Sequence, residues 1–207
     1  IESSKNSIII EIGPGKGALT KFLLKKDFKK LFLIEKDNNL ATQLKLKYEK
    51  IKNIFIINDD ALAFDYSIFK NIEEKVIIYG NLPFNISTKL LTKWISDDEW
   101  PSFFDKMILM FQKEVAERII GKYNTSKYGR LSILTNYRLK LLSKFNVSPN
   151  CFFPKPKIDS TVLYLAPIKK VSKIKKIENL EKVTNILFSN KRKMINKNLK
   201  KIFKKKQ

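Results

Sequence analysis

The feature that most narrows the fold is a run of β-branched residues, Ser7 to Ile12 (SIIIEI). It passes directly into Gly13-Pro14-Gly15-Lys16-Gly17 and then into a helical stretch from Ala18 to Lys26. Strand, glycine-rich turn and helix in that order open a nucleotide-type α/β fold. The glycines let the backbone approach a ligand closely, and the following helix offers its positive N-terminal end. The spacing is G-x-G-x-G. It is not the dinucleotide-binding G-x-G-x-x-G, because Ala18 stands where the third glycine would fall, and no Gly-Lys-Ser/Thr follows as a P-loop requires.

Four further runs read as buried strands: Lys30 to Ile34 (KLFLI), Asn53 to Ile57 (NIFII), Lys75 to Tyr79 (KVIIY, bounded by Gly80) and Lys106 to Phe111 (KMILMF). Helical patterns separate them: Asn39 to Tyr48, and an amphipathic stretch from Ser87 (STKLLTKWI) with Ser87 as a possible cap. Lys113 to Ile120 reads as a helix closed by Gly121, and a further helix follows Tyr128-Gly129-Arg130 through Leu139. Leu141 to Val147 and Thr161 to Ala166 read as a terminal strand pair. Strands alternating with helices predict a central, mostly parallel sheet with helices on both faces, spanning residues 1–167.

In such sheets ligands bind just beyond the carboxyl ends of the strands. Glu35 follows the second strand about twenty residues after the glycine turn, where an acid commonly accepts hydrogen bonds from ribose hydroxyls, while Asp37 suits a helix cap. Asp60 follows the third strand and could bond the exocyclic amine of an adenine, with Ala61 leaving room for the ring. Each acid, taken singly, also fits an ordinary cap. After the fourth strand comes Asn81-Leu82-Pro83-Phe84, in which Pro83 stiffens the turn, Asn81 offers an amide and Phe84 a face for a planar base. All these positions fall on one edge of one sheet.

Between the last two strands lies Cys151-Phe152-Phe153-Pro154-Lys155-Pro156-Lys157-Ile158-Asp159-Ser160, whose prolines exclude regular structure. Phe152 supplies stacking surface, and Lys155 and Lys157 supply phosphate-seeking charge; a stiff loop whose aromatics plug the core is the alternative. Beyond Pro167, residues 169–207 hold 15 Lys plus Arg against 2 Glu. Leu180, Val183, Leu187 and Phe188 form one helical stripe, and Ile195, Leu199, Ile202 and Phe203 another. Residues 168–207 are therefore expected to be a basic helical segment, the start of an incomplete helical domain. Its Lys191, Arg192 and Lys193 are candidates for salt-dependent RNA contact.

The whole chain of 207 residues carries 42 Lys plus Arg against 20 Asp plus Glu, a formal net charge of +22. That imbalance favours a polyanion partner, nucleic acid ahead of a membrane surface. With no His and one Cys, a zinc site and a histidine-based triad are excluded, no metal is expected, and no intrachain disulfide can form. A reducing, cytoplasmic compartment follows as the expectation, and no apolar run reaches membrane-spanning length. The chain opens at Ile1 without Met, almost directly before a strand, so upstream residues are expected.

Taken in order, IEIGPGKGALT, LIEKD, DDAL, GNLPFNIST, FQKEVAERI, YGRLSI, FFPKPKIDSTV and FSNKRKMINKNL cover most of the chain. It resembles the ribosomal RNA adenine dimethyltransferases, relatives of the erythromycin-resistance methyltransferases; GNLPFNIST with FFPKPKIDS is the specific part. The resemblance implies a Rossmann-like class I methyltransferase fold that uses S-adenosylmethionine. By position, Gly13 and Gly15 would approach its methionine part, Glu35 its ribose and Asp60 its adenine amine, while Asn81 would touch both donor and target. Phe84 stands where many relatives have Tyr, and the family's upstream segment that covers the cofactor is not in this sequence. The implied activity is N6,N6-dimethylation of adenosines in small-subunit ribosomal RNA by a monomer acting on an assembly intermediate. A large-subunit enzyme of the macrolide-resistance type and a non-catalytic RNA-binding assembly factor remain open.

Overall fold

The computed structural model describes residues 3–82, 84–152, 155–170, 174, 176–189 and 199, and for residue 84 the backbone only. The elements are β1 (Ser7–Ile12), α1 (Thr20–Leu23), β2 (Lys30–Glu35), α2 (Asn38–Tyr48), β3 (Ile54–Asn58), β4 (Lys75–Asn81), α3 (Phe84–Ile95) and β5 (Lys106–Gln112). Then come α4 (Lys113–Ile119), α5 (Arg130–Arg138), β6 (Leu139–Val147), β7 (Ser160–Pro167) and α6 (Ile177–Phe188), with single 3-10 turns at Tyr66–Phe69 and Pro149–Cys151. One seven-stranded sheet runs β3-β2-β1-β4-β5-β7-β6. The first five strands are parallel, and β7 pairs antiparallel to both β5 and β6.

The β-branched runs form strands because the sheet is covered on both faces, so a strand such as β1 is buried at every position. On one face α3 delivers Leu90, Leu91, Trp94 and Ile95 against Ile10, Ile78, Leu109 and Leu163. Rings of Tyr66, Phe69 and Phe103 pack beside Trp94 in stacked and edge-on pairs. On the other face Leu44 and Tyr48 of α2 cover Ile9, Leu31, Leu33 and Ile77. Each such side chain contributes on the order of 1.5–3 kcal/mol by leaving water. The sheet ends at β6, an edge strand whose pairing register with β7 shifts between Leu141 and Ser143, a bulge. Ile177 of α6 is buried in the larger core, and Leu180 packs against that core, so the first helix beyond Pro167 is docked on the sheet domain.

Three expectations need correction. The helix after the glycine turn is regular only over Thr20–Leu23, with single turns around it such as Phe22 N–H to Leu19 and Lys26 N–H to Leu23. Left-handed backbone at Gly13, Gly15 and Gly17 delays its start, so no long dipole points at the turn. Helix α3 starts at Phe84, not Ser87; Ser87 lies inside it and is buried. Strand β4 does not stop at Gly80 but runs on through Asn81, because Gly80 pairs with Leu109 and Asn81 with Met110 of β5.

Candidate functional site

The strand order places the ends of β3, β2, β1, β4 and β5 side by side, so the polar residues that follow each strand share one rim. Backbone bonds stitch that rim: Gly13 N–H donates to Ile34 at 2.9 Å, and Asp59 N–H donates to Glu35 at 3.1 Å. The glycine turn is held open by backbone that side chains resist, with φ of 63° at Gly13, 57° at Gly15 and 79° at Gly17. A methyl group built on Gly15 would meet nothing within 4 Å, which leaves the outer side of the turn clear for a ligand.

Glu35 is buried, and two backbone donors compensate it: Gly15 N–H reaches one carboxylate oxygen at 3.0 Å and Asp37 N–H the other at 2.9 Å. The carboxylate therefore locks the glycine turn to the tip of β2 and keeps lone pairs for further donors. Asp37 caps α2, accepting from Asn39 N–H and Leu40 N–H, as its sequence position implied. Asp60 serves as a turn cap for Leu62 N–H at 2.9 Å and pairs with Lys36 Nζ at 2.8 Å. The Lys36 ammonium, and then the Leu62 N–H, hold its carboxyl below the usual carboxylate range. A ligand amine would share this carboxylate with Lys36. Ala61 is buried in the core, and its carbonyl accepts from the Tyr66 hydroxyl at 3.0 Å.

Asn81 is exposed at the tip of β4, on the sheet face that also carries Tyr79, and its amide bonds to no described residue. Leu82 turns the other way, into the core. The lack of a side chain at Gly80 permits this fold-back, since a methyl there would stand 2.7 Å from Leu82 Cδ2. Beside Asn81 opens a mainly apolar cavity of about 490 Å3 bounded by Leu19, Tyr79, Met110, Val162, Tyr164 and Phe145, a size suited to a small planar ligand. A larger hollow of about 1020 Å3 lies at the opposite rim, where β4 and β5 begin at Lys75 and Lys106. Parallel sheets bind ligands at the ends of their strands, not at the beginnings, which makes the smaller cavity the candidate site.

Pairing of Gln112 with Ser160 and of Val147 with Ser160 brings the β6–β7 connection to this same rim. Phe152 is half-buried in that connection, and no described ring stacks on it. Lys155 and Lys157 are exposed there, and Cys151 is a free, exposed thiol. Pro83, the Phe84 side chain, and Lys191, Arg192 and Lys193 lie outside the described residues.

Two participants at the rim belong to no sequence pattern of ligand binding. Lys36 stands between Glu35 and Asp37, whose charges suggest the more obvious roles. Glu11 is the penultimate residue of β1, 2% exposed, where its carboxylate accepts from Thr20 Oγ1 at 2.7 Å and ties β1 to the start of α1. Its one signal in the sequence is an acid inside an otherwise unbroken run of isoleucines.

The family model of ribosomal RNA adenine dimethylases matches residues 1–207, the whole chain. The chain belongs to the ribosomal RNA adenine dimethylase family. Within curated relatives of this family, the chain is 46% identical over 198 residues to ribosomal RNA small subunit methyltransferase A of Pelagibacter ubique, covering 96% of this chain and 74% of that one. It is 40% identical to the protein of the same name from Afipia carboxidovorans, covering 93% of this chain and 68% of the relative. Among solved structures, the dimethylase fold is shared with a dimethyladenosine transferase from Plasmodium falciparum (TM-score 0.80, 32% identity, 95% of this chain and 68% of that one). The 23S rRNA methyltransferase ErmE also shares it (TM-score 0.71, 25% identity, 97% and 78%). The dimethylase sheet is thus that of a Rossmann-like, class I, S-adenosylmethionine-dependent methyltransferase, as the resemblance implied. The chemistry of the rim is compatible with that donor: an open glycine turn, a buried carboxylate at β2 with unused lone pairs, and an acid at β3 beside it.

Proposed function

We propose that this chain transfers methyl groups from S-adenosylmethionine to N6 of adenosines in small-subunit ribosomal RNA, twice on each nitrogen. What carries the reading is that Asn81, with its amide unbonded to any described residue, stands on the same rim as the Glu35-locked glycine turn in a member of this family. Identity of 46% to a small-subunit enzyme against 25% to a large-subunit one favours the small-subunit substrate.

The bound donor supplies an electrophilic methyl on a sulfonium, and this chain supplies position. Gly13 and Gly15 would admit the donor's methionine end, Glu35 would take its ribose, and Asp60 with Ala61 would take its adenine. The nitrogen lone pair of adenine N6 is delocalised into its ring. Accepting its N–H bonds on the Asn81 side-chain oxygen and on a backbone carbonyl of the turn, that of Leu82, favours a pyramidal nitrogen whose lone pair is free to attack. Held in line, the two reactants gain the advantage of an intramolecular reaction. The alkylated amine loses its proton to water, so the absence of His from the chain is no obstacle. The target adenosine leaves its stack to reach the rim, Phe84 and Phe152 bracket it, and Pro83 keeps the turn stiff. Lys155 and Lys157, and beyond α6 Lys191, Arg192 and Lys193, hold the RNA backbone. In this reading residues 168–207 are a basic helical segment appended to the sheet domain.

The substrate particle in this reading is a small-subunit assembly intermediate, the enzyme is a monomer and the site of action is cytoplasmic. A free, exposed Cys151 suits a reducing compartment, and no helix among the described residues is long and apolar enough to cross a membrane. Incubation with labelled donor and undermethylated small or large subunits, followed by mapping of dimethyladenosine, tests the assignment. Label in small-subunit RNA alone is expected. Label confined to the large subunit would transfer the chain to the macrolide-resistance type, and RNA binding with no label would make it an assembly factor.

A further inference from the structure

Away from the rim, α4, α5 and α6 enclose a cavity of about 150 Å3 lined by Arg118, Lys127, Arg130, Asn185 and Phe188, with no Asp or Glu in its wall. Sites that enclose a drug-sized molecule run to about 300–1,000 Å3, so this one suits a single small group. Three cations converge on it from separate segments. Arg118 comes from the last turn of α4, Lys127 from the connecting loop and Arg130 from the first residue of α5.

The local fold forces this convergence. A methyl group at Gly121 would stand 2.6 Å from the Lys127 carbonyl, so only glycine lets the loop return so tightly onto the end of α4. Asn136 Nδ2 then binds the Gly121 carbonyl at 3.2 Å. Buried Ser132 closes the start of α5 by accepting from Gly129 N–H at 2.9 Å and donating to the Gly129 carbonyl at 2.8 Å. Phe188 of α6 meets Tyr128 edge-on, with centroids 6.3 Å apart, and walls the far side. Of the three cations, only Lys127 has an acidic partner among the described residues, Glu117 at 3.1 Å. Arg130 reaches neutral Asn185 at 3.4 Å, and Arg118 has no hydrogen bond or ion pair among the described residues. Like charges held together repel each other, and an oxyanion placed among them would turn that repulsion into attraction.

We propose that this cavity is a phosphate-binding site that seats one backbone phosphodiester of the RNA substrate, distinct from the base-binding rim. The identity of the polyanion rests on the function proposed above. Its position supports RNA over a free phosphate. Lys127 also lines the neighbouring hollow, whose wall carries Lys113 and Lys157 together with Glu114, Glu117 and Asp159 and which reaches the rim loop at Lys157. Phe188, the last residue of α6, lines the cavity, and in the sequence the basic run Lys191-Arg192-Lys193 begins three residues later. A strand of RNA running from the rim loop along this side of the domain would therefore pass Lys127 and meet Arg118 and Arg130.

The test is RNA binding as a function of salt for wild type, for Arg118→Gln with Arg130→Gln, and for Arg118→Lys with Arg130→Lys, using a small-subunit rRNA hairpin. Both arginines are exposed, and thermal melts verify that the variants fold. The Gln pair should bind about tenfold more weakly near physiological salt, with a log–log salt slope shallower by about 0.7–0.9 for each phosphate that is no longer neutralised. The Lys pair should keep most of the slope. Millimolar inorganic phosphate should compete only in proportion to its ionic strength; specific competition at constant ionic strength would assign the cavity to a free anion instead. A Gln pair with wild-type affinity and slope would overturn the site. Methyl transfer by wild type, measured in parallel, decides the enzymatic assignment separately, because an inactive wild type whose salt slope still depends on the two arginines would leave the phosphate site standing.

Discussion

Glu11 carries a carboxyl with one side-chain partner, Thr20, in a strand closed to water on both faces. Burial pushes that carboxyl up to about 7, offset in part by hydrogen bonds from the Thr20 hydroxyl and backbone N–H. A folded value above the unfolded one of 4.5 means that the folded chain holds a proton the unfolded chain has released. The contribution to stability is complete below the unfolded value and is lost as pH rises through the folded one, about 3 kcal/mol in all at about 1.4 kcal/mol per pKa unit. Glu11→Gln keeps an acceptor for Thr20 and removes the titration. Thermal melts between about pH 5 and about pH 8 should show wild type losing stability relative to the variant, and parallel profiles would refute the assignment. Asn81→Ala should abolish methyl transfer yet leave RNA affinity within a few-fold; retained turnover would remove Asn81 from the chemistry. Phe152→Ala should lower kcat/KM about tenfold or more as stacking disappears, with a smaller change in RNA affinity, and equal reductions in both would make it an RNA-holding residue alone.

At the scale of elements, the tip of β4 depends on alternation: Tyr79 in one direction, Asn81 outward beyond it, Leu82 back into the core. Gly80 makes room for that reversal, so Gly80→Ala should push Leu82 and Leu109 and cost about 1–3 kcal/mol in urea unfolding, with Asn81 displaced and turnover lost beyond the stability effect. An alanine variant with wild-type stability and turnover would show that the fold-back tolerates a side chain. The strands were legible in the sequence because burial on both faces writes itself as an unbroken β-branched run, as in Ile8, Ile9 and Ile10. Asp37 was legible as a cap for the same local reason. The short α1 and the early start of α3 were not. Lys21, Phe22 and Leu24 have helical composition whatever geometry the preceding glycines impose, and Phe84 and Asn85 look like loop residues until the β4 exit is fixed. The convergence of Arg118 with Arg130 was equally invisible, because it depends on the return of the loop at Gly121.

Over the whole molecule, the charge of +22 is unevenly spread, and the last 39 residues hold 15 of the 42 basic side chains. Changing Lys191, Arg192 and Lys193 together to Gln should flatten the log–log salt dependence of RNA binding by about 0.7–0.9 for each phosphate they neutralise, and an unchanged slope would remove the tail from the interface. The rim itself could be anticipated, since residues after successive parallel strands must line up; that Glu35 bonds Gly15 and Asp37, and Asp60 pairs with Lys36, is set by the folded loops and not by local sequence. The outer border of the sheet has a further effect. The irregularity between Leu141 and Ser143 divides β6 into two short stretches, and Lys140 and Lys144 place a cation on each. Neither stretch reaches the about six residues that a fibril-forming segment needs. The break and the two cations disfavour edge-to-edge pairing of a stray strand along this border, although Leu141, Leu142 and Phe145 are exposed there.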